Sequence, residues 1–187
     1  MPKVTFLRHA ESTANKAGIF AGRLDCEITN EGFLEAKKLF NNEKFDAIYC
    51  SPLKRTSQTL HAFLPNSTPI IDERITEMDV GIWQGKLKSS IGKELISDFL
   101  SGYFLPDGAE SINETDKRVK SFIIDIFNNY SESDNILVVT HNGALRSVKR
   151  LFNKSEFPLI SKNLETFYID SHDFAKFQNF NIEKNPK

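Results

Sequence analysis

The chain has 187 residues, with 40% hydrophobic and 26% charged side chains, which is the balance of an ordinary soluble globular domain with its own core. Its formal net charge of −1 gives no basic field that would attract nucleic acid, so nucleic acid is not an expected partner. No apolar run approaches the ~20 residues that span a bilayer, so a membrane is not an expected partner either.

The first residues read as a strand and not as a basic segment followed by an apolar signal region. The two cysteines, Cys26 and Cys50, form no CxxC motif, which predicts free thiols in a reducing compartment. Together these features predict a cytoplasmic protein.

Apolar runs alternate with helical spacings along the first half of the chain. The predicted elements are a strand over 4–7, a loop with one helical turn over 10–25, a helix capped by Thr29 that ends near 41–42, a strand over 45–50, a helix that begins at Pro52 with Ser51 as its cap, and a short strand over 69–71.

The second half continues the pattern after an irregular stretch over 72–85. The predicted elements are a helix over 89–100, a loop over 102–108, the longest helix over 113–130, a strand over 135–140, a helix continuing through Leu151, a hairpin of strands over 166–170 and 175–180, and a frayed tail over 183–187. Strands that alternate with helices predict an α/β fold, a three-layer α/β/α sandwich whose mostly parallel sheet has an antiparallel edge.

Basic side chains lie where three of the predicted strands end. Arg8 and His9 follow the first strand, Arg55 lies in the first turn of the helix after the second, and His141 follows the strand over 135–140. In an open α/β sheet the carboxyl ends of the strands are where ligands bind. If these strands are neighbours, two histidines and two arginines form a cationic pocket that suits an anionic substrate. Each of these side chains, taken singly, could instead be a solvated strand or helix end.

Six stretches, in order between residues 4 and 143, resemble the motifs of the histidine phosphatase superfamily, which has the phosphoglycerate mutase-like fold. The stretches are RHAES at 8–12 followed by Asn15, GRLD at 22–25 with ITNEG at 28–32, SPLKRTSQT at 51–59, EMDVGIWQG at 77–85, PDGAES at 106–111 and VTHNG at 139–143. The chain departs from the pattern at Ala10, where the signature has Gly, and by one extra residue in 106–111. We therefore expect one domain over 1–187, with a small lid-like insertion over about 73–110.

The resemblance implies a catalytic role for each of the basic residues at the strand ends. His9 would be the nucleophile that forms a phosphohistidine, and the positive charges of its neighbours would favour the neutral imidazole that the attack needs. Arg8 and Arg55 would clamp the phosphoryl oxygens with their guanidinium groups. His141 would donate to the same oxygens as negative charge develops.

Glu77 would be the general acid that protonates the leaving oxygen and then activates water. Glu73 and Asp79 are competing carboxylates, and Glu77 is preferred because its spacing to Gly81 and Trp83 fits the family segment. Met78 and Trp83 could supply an apolar wall beside it.

Further contacts to the phosphate are implied for three residues: Asn15, Gly22 and Asn142. Glu11 and Ser12 are expected to support the site without touching the substrate. No metal or cofactor is expected, since the sequence has no HExxH motif, no His/Cys ligand spacing and no Walker loop.

The leading functional prediction is a metal-independent phosphatase that hydrolyses a small phosphorylated metabolite. A phosphoglycerate mutase is the first alternative; the resemblance implies that mutases carry a longer insert and a basic tail, whereas the segment between Glu77 and Pro106 is short here. A non-catalytic phosphate-binding interaction module is the second. Whether Arg23, Arg74, Lys86 or Lys88 contacts further acidic groups of the substrate stays open, and an edge strand near 166–169 could pair across a homodimer.

Overall fold

The structure is a computed structural model that describes residues 2–39, 43–153, 160–170, 172–175 and 177. Its strands and α-helices, numbered in chain order, are β1 (Lys3–Arg8), α1 (Thr13–Lys16), α2 (Asn30–Lys37), β2 (Ala47–Cys50), α3 (Lys54–Phe63), β3 (Ile70–Ile71), α4 (Lys93–Ser101), α5 (Ile112–Asn129), β4 (Asn135–Thr140), α6 (Asn142–Leu151) and β5 (Thr166–Ile169). Short 3₁₀ turns lie at Glu73–Ile75, Gly81–Trp83 and Lys88–Ser90.

The five strands form one sheet in the order β3-β2-β4-β1-β5. The pairs β3–β2, β2–β4 and β4–β1 are parallel, and β5 closes the sheet as an antiparallel edge. The predicted mostly parallel sheet with an antiparallel edge is therefore confirmed. The order also confirms that the strands followed by His9 and His141 are neighbours, with β2 on the other side of β4.

The side chains of β4 alternate between two apolar layers, as the two-residue period of a strand requires. Ile136 and Val138 pack into a cluster with α5 and α6, while Leu137 and Val139 pack into a cluster with Leu60 of α3. Because both faces of the central strands are covered, these strands read in the sequence as continuous apolar runs.

A third apolar cluster lies outside the sheet, within the segment between β3 and α5. Its buried members are Met78, Val80, Trp83, Ile91 and Phe99. Trp83 stacks on Phe104 with ring centroids 5.7 Å apart. This cluster gives the segment its own small core and supplies one wall of the cavity described below.

The predicted start of α3 is wrong by two residues. The helix begins at Lys54 and its N-cap is Leu53, which makes no side-chain cap. Ser51 does not cap the helix, because its hydroxyl accepts from the Leu53 N–H at 3.4 Å and contacts His141 Nε2 at 2.7 Å.

The predicted helix over 89–100 begins later, because Gly92 adopts an extended backbone at the N-cap of α4. The predicted cap of α2 is confirmed: the Thr29 hydroxyl accepts from the Gly32 N–H at 2.9 Å. The predicted end of that helix near 41–42 and the tail over 183–187 lie outside the described residues.

Of the two strands predicted for the closing hairpin, the first is present and the second is wrong in its described part. β5 is a strand, but 172–175 and 177 are helical. The Asp170 carboxylate accepts from the N–H groups of His172 and Asp173, which starts a helical turn where a β-turn was expected. Phe174 stacks on Phe127 with ring centroids 4.1 Å apart, so its spacing of three to Phe177 is helical. The remaining residues of the predicted second strand lie outside the described residues.

None of the helices in the described ranges combines the length and apolar content needed to cross a membrane.

Candidate active site

A cavity of about 160 Å³ opens at the carboxyl ends of β1, β2 and β4. Its lining includes seven of the eight site residues predicted from the sequence: Arg8, His9, Asn15, Gly22, Arg55, Glu77 and Asn142. The eighth, His141, is fully buried behind this wall, with its ring centroid 5.2 Å from that of His9. The sheet register explains the convergence: Arg8 pairs with Thr140, so His9 and His141 are the next residues on adjacent strands.

The His9 ring is oriented by a hydrogen bond to the backbone of the next residue. Its Nδ1 lies 2.7 Å from the carbonyl oxygen of Ala10. A carbonyl can only accept, so Nδ1 carries the hydrogen, and the lone pair of the neutral ring is at Nε2. Burial, and next the positive charges of Arg55 and Arg8, hold the pKa of His9 well below its usual range. The ring is therefore neutral, with an unprotonated Nε2, and it lies in the wall of the cavity.

Arg8 offers a donor that the protein itself does not use. One Nη1 hydrogen is donated to the carbonyl oxygen of Ser161, but the buried Nε has no hydrogen-bond partner among the described residues. An unpaired buried donor costs about 1–3 kcal/mol. An oxyanion in the cavity would satisfy it.

Arg55 is 1% exposed and already donates most of its hydrogens to the protein. Nη1 donates to Leu24 O at 2.8 Å and lies 3.7 Å from Cys26 Sγ, and Nη2 donates to Gly22 O at 2.8 Å. Nε donates to His141 Nδ1 at 3.1 Å. Because a guanidinium has five N–H groups, only one, on Nη2, is left for a substrate in this arrangement. The expected bidentate clamp by Arg55 thus stays a prediction.

Both ring nitrogens of His141 are engaged. Nδ1 accepts from Arg55 Nε, so the neutral ring carries its hydrogen on Nε2, which donates to Ser51 Oγ at 2.7 Å. Burial, and next the charge of Arg55, hold the pKa of His141 well below its usual range. The predicted donation from His141 to the phosphoryl oxygens would require the ring to rotate. As arranged, His141 holds the Nε side of Arg55.

Two further donors belong to residues that line the cavity from the segment between β1 and α2, Asn15 in α1 and Gly22 after it. The Asn15 amide oxygen accepts from Ser12 N and Oγ at 3.2 and 3.0 Å and from Asn163 Nδ2 at 3.2 Å. This fixes the amide so that its Nδ2 makes no hydrogen bond with the described residues. The buried Gly22 N–H is likewise unpaired in the described part of the chain, at a φ of +51°. Together with Arg8 Nε, these groups suit a tetrahedral oxyanion.

Glu77 is held by two backbone N–H groups that both point to one carboxylate oxygen. Oε1 accepts from Gly143 N at 2.7 Å, at the start of α6, and from Met78 N at 2.9 Å. Oε2 has no hydrogen bond among the described residues, so it is the oxygen free to exchange a proton. A Cβ at residue 143 would lie 2.3 Å from Oε1 and 2.8 Å from Met78 Cβ, so a larger residue there would displace the Glu77 carboxylate.

The competing carboxylates lie outside the lining. Glu73 accepts from Thr76 Oγ1, and Asp79 accepts from Gly81 N. Trp83 also lies outside it and packs behind the wall formed by Phe20 and Phe99, whereas Met78 lines the cavity as expected.

Of the four basic residues left open by the sequence, Lys88 alone is in the cavity lining. Arg23 donates to the Glu77 carbonyl oxygen at 3.3 Å and pairs with Glu110, and Arg74 pairs with Asp72 and Asp125. Arg23 therefore supports the Glu77 backbone, and Arg74 is part of a surface ion-pair group.

Sequence reasoning missed three residues that build the site. Asn163 donates to His9 O at 2.9 Å as well as to Asn15, and the Ser161 backbone bonds both Arg8 and Asn142 Oδ1. Arg146 of α6 lines the cavity although it is 3% exposed. The loop residues carry no local signal, but Arg146 could have been noticed as a charge on a helix that follows directly from His141.

The departure from the family signature at Ala10 is accommodated by packing. Ala10 is fully buried and packs with Ala36 and Ala62. Small side chains on the two facing helices leave room for its methyl group, so the loop keeps the conformation that orients His9.

The lowered pKa values of His9 and His141 make the stability of the fold depend on pH. Both rings stay neutral in the folded protein, whereas in the unfolded chain they bind protons as the pH falls below 6.5. The free energy of unfolding is thus expected to fall between pH 7 and pH 5, by about 1.4 kcal/mol per pH unit for each histidine once the unfolded chain is protonated.

Urea unfolding at several pH values measures this slope, and His9→Asn should reduce it by the share of one histidine. The slope is independent of any general loss of stability in the variant. Stability that is constant over this range would contradict the assignment of two buried neutral rings.

Comparisons with known proteins show the family to which the chain belongs. A family model described as the histidine phosphatase superfamily (branch 1) matches residues 4–163. Phosphoserine phosphatase 1 of Hydrogenobacter thermophilus is 33% identical over 194 residues, which cover 98% of this chain and 88% of that protein. A 2,3-bisphosphoglycerate-dependent phosphoglycerate mutase of Rhizobium etli is 30% identical over 166 residues, which cover 80% of this chain and 79% of the relative.

Among solved structures, a mutant phosphoserine phosphatase of Entamoeba histolytica in complex with phosphoserine superimposes with a TM-score of 0.76. It is 24% identical and covers 90% of each chain, so it supports the fold. The family match spans the signature around His9, the segment around Glu77 and the strand end at His141, and it reaches Asn163. The chain therefore belongs to the histidine phosphatase superfamily and is an enzyme of its phosphatase type.

Proposed function

We propose that the chain hydrolyses a small phosphomonoester through a phosphohistidine on His9, with Glu77 as general acid and base. The observation that carries this proposal is that two side chains lining one cavity each keep a reactive atom that makes no hydrogen bond with the described residues. One is the Nε2 lone pair of a His9 ring fixed through Nδ1, and the other is the free Oε2 of a Glu77 carboxyl fixed through Oε1.

In the first step His9 Nε2 forms a bond to phosphorus, and the bond from phosphorus to the leaving oxygen breaks. Glu77 Oε2 gives its proton to that oxygen, and the alcohol departs. The hydrogen bond from Nδ1 to Ala10 O supports the ring as it gains positive charge. In the second step Glu77 Oε2 takes a proton from water, the water oxygen bonds to phosphorus, and the N–P bond breaks to release phosphate.

Arg8, Arg55, Asn15 and the Gly22 N–H stabilise the phosphoryl oxygens during both steps. Preorganised donors held by a partly buried protein site are worth more than the same groups in bulk water. Asn142 lines the same cavity with its Oδ1 bound to Ser161 N, which leaves its Nδ2 as a further donor. Among these donors, the guanidinium groups of Arg8 and Arg55 supply the positive charge that the proposal requires for a metal-independent reaction.

Hydrolysis is favoured over phosphoryl transfer by the short segment between Glu77 and Pro106, which leaves the phosphohistidine open to water. Phosphoserine is the first substrate to test, because a relative that covers 98% of the chain is named a phosphoserine phosphatase. The alternative function, that of a phosphoglycerate mutase, is supported by the relatives named phosphoglycerate mutases.

The experiment measures phosphate released from O-phosphoserine, p-nitrophenyl phosphate and 3-phosphoglycerate, with and without EDTA, and in parallel the conversion of 3- to 2-phosphoglycerate. Phosphate release that is insensitive to EDTA is expected. Loss of activity on chelation that magnesium restores would contradict the metal-independent mechanism. Efficient isomerisation with little released phosphate would replace the phosphatase proposal by the mutase.

A further inference from the structure

The cavity carries more positive charge than a phosphate group needs. Among the described residues, four cationic side chains line it, Arg8, Arg55, Lys88 and Arg146, against the single carboxylate of Glu77. That leaves at least three positive charges in excess, and four while Glu77 carries the proton that it donates, whereas a phosphomonoester carries at most about two negative charges near pH 7. At least one cationic group is thus left to be matched by another acidic group of the substrate.

Arg146 is the cationic group that the phosphoryl chemistry does not use. It is 3% exposed, and no carboxylate of the described residues lies within ion-pair distance of it. Its Nη2 donates to Leu100 O at 2.5 Å, and its buried Nε has no partner in the described part of the chain. A buried charge without an anionic partner is costly, so a site that keeps one is suited to bind an anion.

Another arginine of α6 does pair with a carboxylate, so the lack of an anionic partner is particular to Arg146. Arg150, one turn later, pairs with Asp116 at 2.5 Å and lies outside the cavity lining. Burial lowers the pKa of Arg146 to about 10, so its guanidinium is still charged at pH 7. Lys88 lies at the rim of the same cavity, where its ammonium faces the ring of Phe20 at 5.5 Å.

We propose that Arg146, assisted by Lys88, forms a second anion subsite that binds a carboxylate of the substrate. The preferred substrates are therefore small phosphomonoesters that carry a carboxylate. A planar guanidinium binds a carboxylate through two parallel hydrogen bonds, and the unpaired Nε is one of the donors this requires. The cavity of about 160 Å³ suits a compact molecule of this kind. This inference rests on the proposed phosphatase function and adds the substrate class to it.

The test compares two substrate pairs that differ in one group. O-phosphoserine has a carboxylate that O-phosphoethanolamine lacks, and 3-phosphoglycerate has one where glycerol 3-phosphate has a hydroxymethyl group. In the unmodified chain we expect the carboxylated member of at least one pair to have the higher kcat/KM. In Arg146→Met we expect the preference within that pair to fall roughly tenfold to hundredfold, chiefly through KM.

Three further variants separate a binding role from a structural one. Arg150→Met, on the same helix, is expected to keep the preference, Arg146→Lys to keep part of it, and Lys88→Met to weaken it. If Arg146→Met fails to fold in a thermal melt, the lysine variant and Lys88→Met decide the question.

The proposal is overturned if the unmodified chain shows no preference within either pair, or if the variants slow both members of a pair equally. Equal slowing would assign Arg146 the structural task of holding Leu100 O. Failure of the phosphatase proposal is seen separately, because p-nitrophenyl phosphate would then not be hydrolysed at all.

Discussion

Replacing His9 by asparagine is expected to lower kcat/KM for p-nitrophenyl phosphate by at least about four orders of magnitude, the scale of losing a covalent nucleophile. Asparagine is the sharpest replacement, because its amide N–H can replace Nδ1–H in the hydrogen bond to Ala10 O. The variant then lacks Nε2 while the loop around residue 10 keeps its anchor. A large loss can therefore be assigned to the missing nucleophile and not to a disturbed loop.

The matched control is His61→Asn, the same change at a position on α3 outside the cavity lining, which is expected to keep full activity. Rapid mixing with substrate followed by alkaline quenching should trap phosphate on the unmodified chain, because the N–P bond of phosphohistidine is stable in base and labile in acid. No trapped phosphate should be found on the asparagine variant. A variant that still turns over, or a trapped phosphate that survives acid, would exclude His9 as the nucleophile.

The sequence predicted the fold well where both faces of an element are covered. The apolar run over 135–140 has the bounds of β4, because burial on both sides of the sheet leaves little choice of residue. Prediction failed where the hydrogen bonds of individual polar side chains decide the local conformation. The Asp170 carboxylate started a helical turn in place of a hairpin, and the bonds of Ser51 to Leu53 and His141 moved the start of α3.

The sequence predicted which residues come together at one cavity but not how they are hydrogen-bonded; their roles stay predictions. Strand ends and motifs placed Arg8, His9, Arg55 and Glu77 at one edge of the sheet, since parallel strands carry their carboxyl ends to the same side. The sequence contains nothing that assigns the hydrogens of Arg55 to Gly22 O and Leu24 O, because those carbonyls come from a loop 30 or more residues away. Arg146 was missed for a related reason. Only the structure gives the positions of the surrounding carboxylates, and so only the structure shows that none of those described pairs with it.

The arrangement around Glu77 determines how its removal should be tested. Glu77→Gln keeps an oxygen that can accept from Gly143 N and Met78 N, so the side chain is expected to stay in place. It changes the free Oε2 into an amide nitrogen that can neither give nor take the proton. For glycerol 3-phosphate, whose alkoxide must be protonated as it leaves, kcat is expected to fall about 10²–10⁴-fold.

With p-nitrophenyl phosphate the same variant should behave differently. Nitrophenolate leaves without a proton, so His9 can still be phosphorylated, but the phosphohistidine then lacks the base that activates water. Stopped-flow absorbance is expected to show a burst of one nitrophenolate per active site followed by slow turnover, and Glu73→Gln, outside the cavity lining, should show neither burst nor loss. If Glu77→Gln slowed both substrates equally and gave no burst, Glu77 would not be the residue that handles the proton in either step, and the division of labour between Oε1 and Oε2 would have to be abandoned.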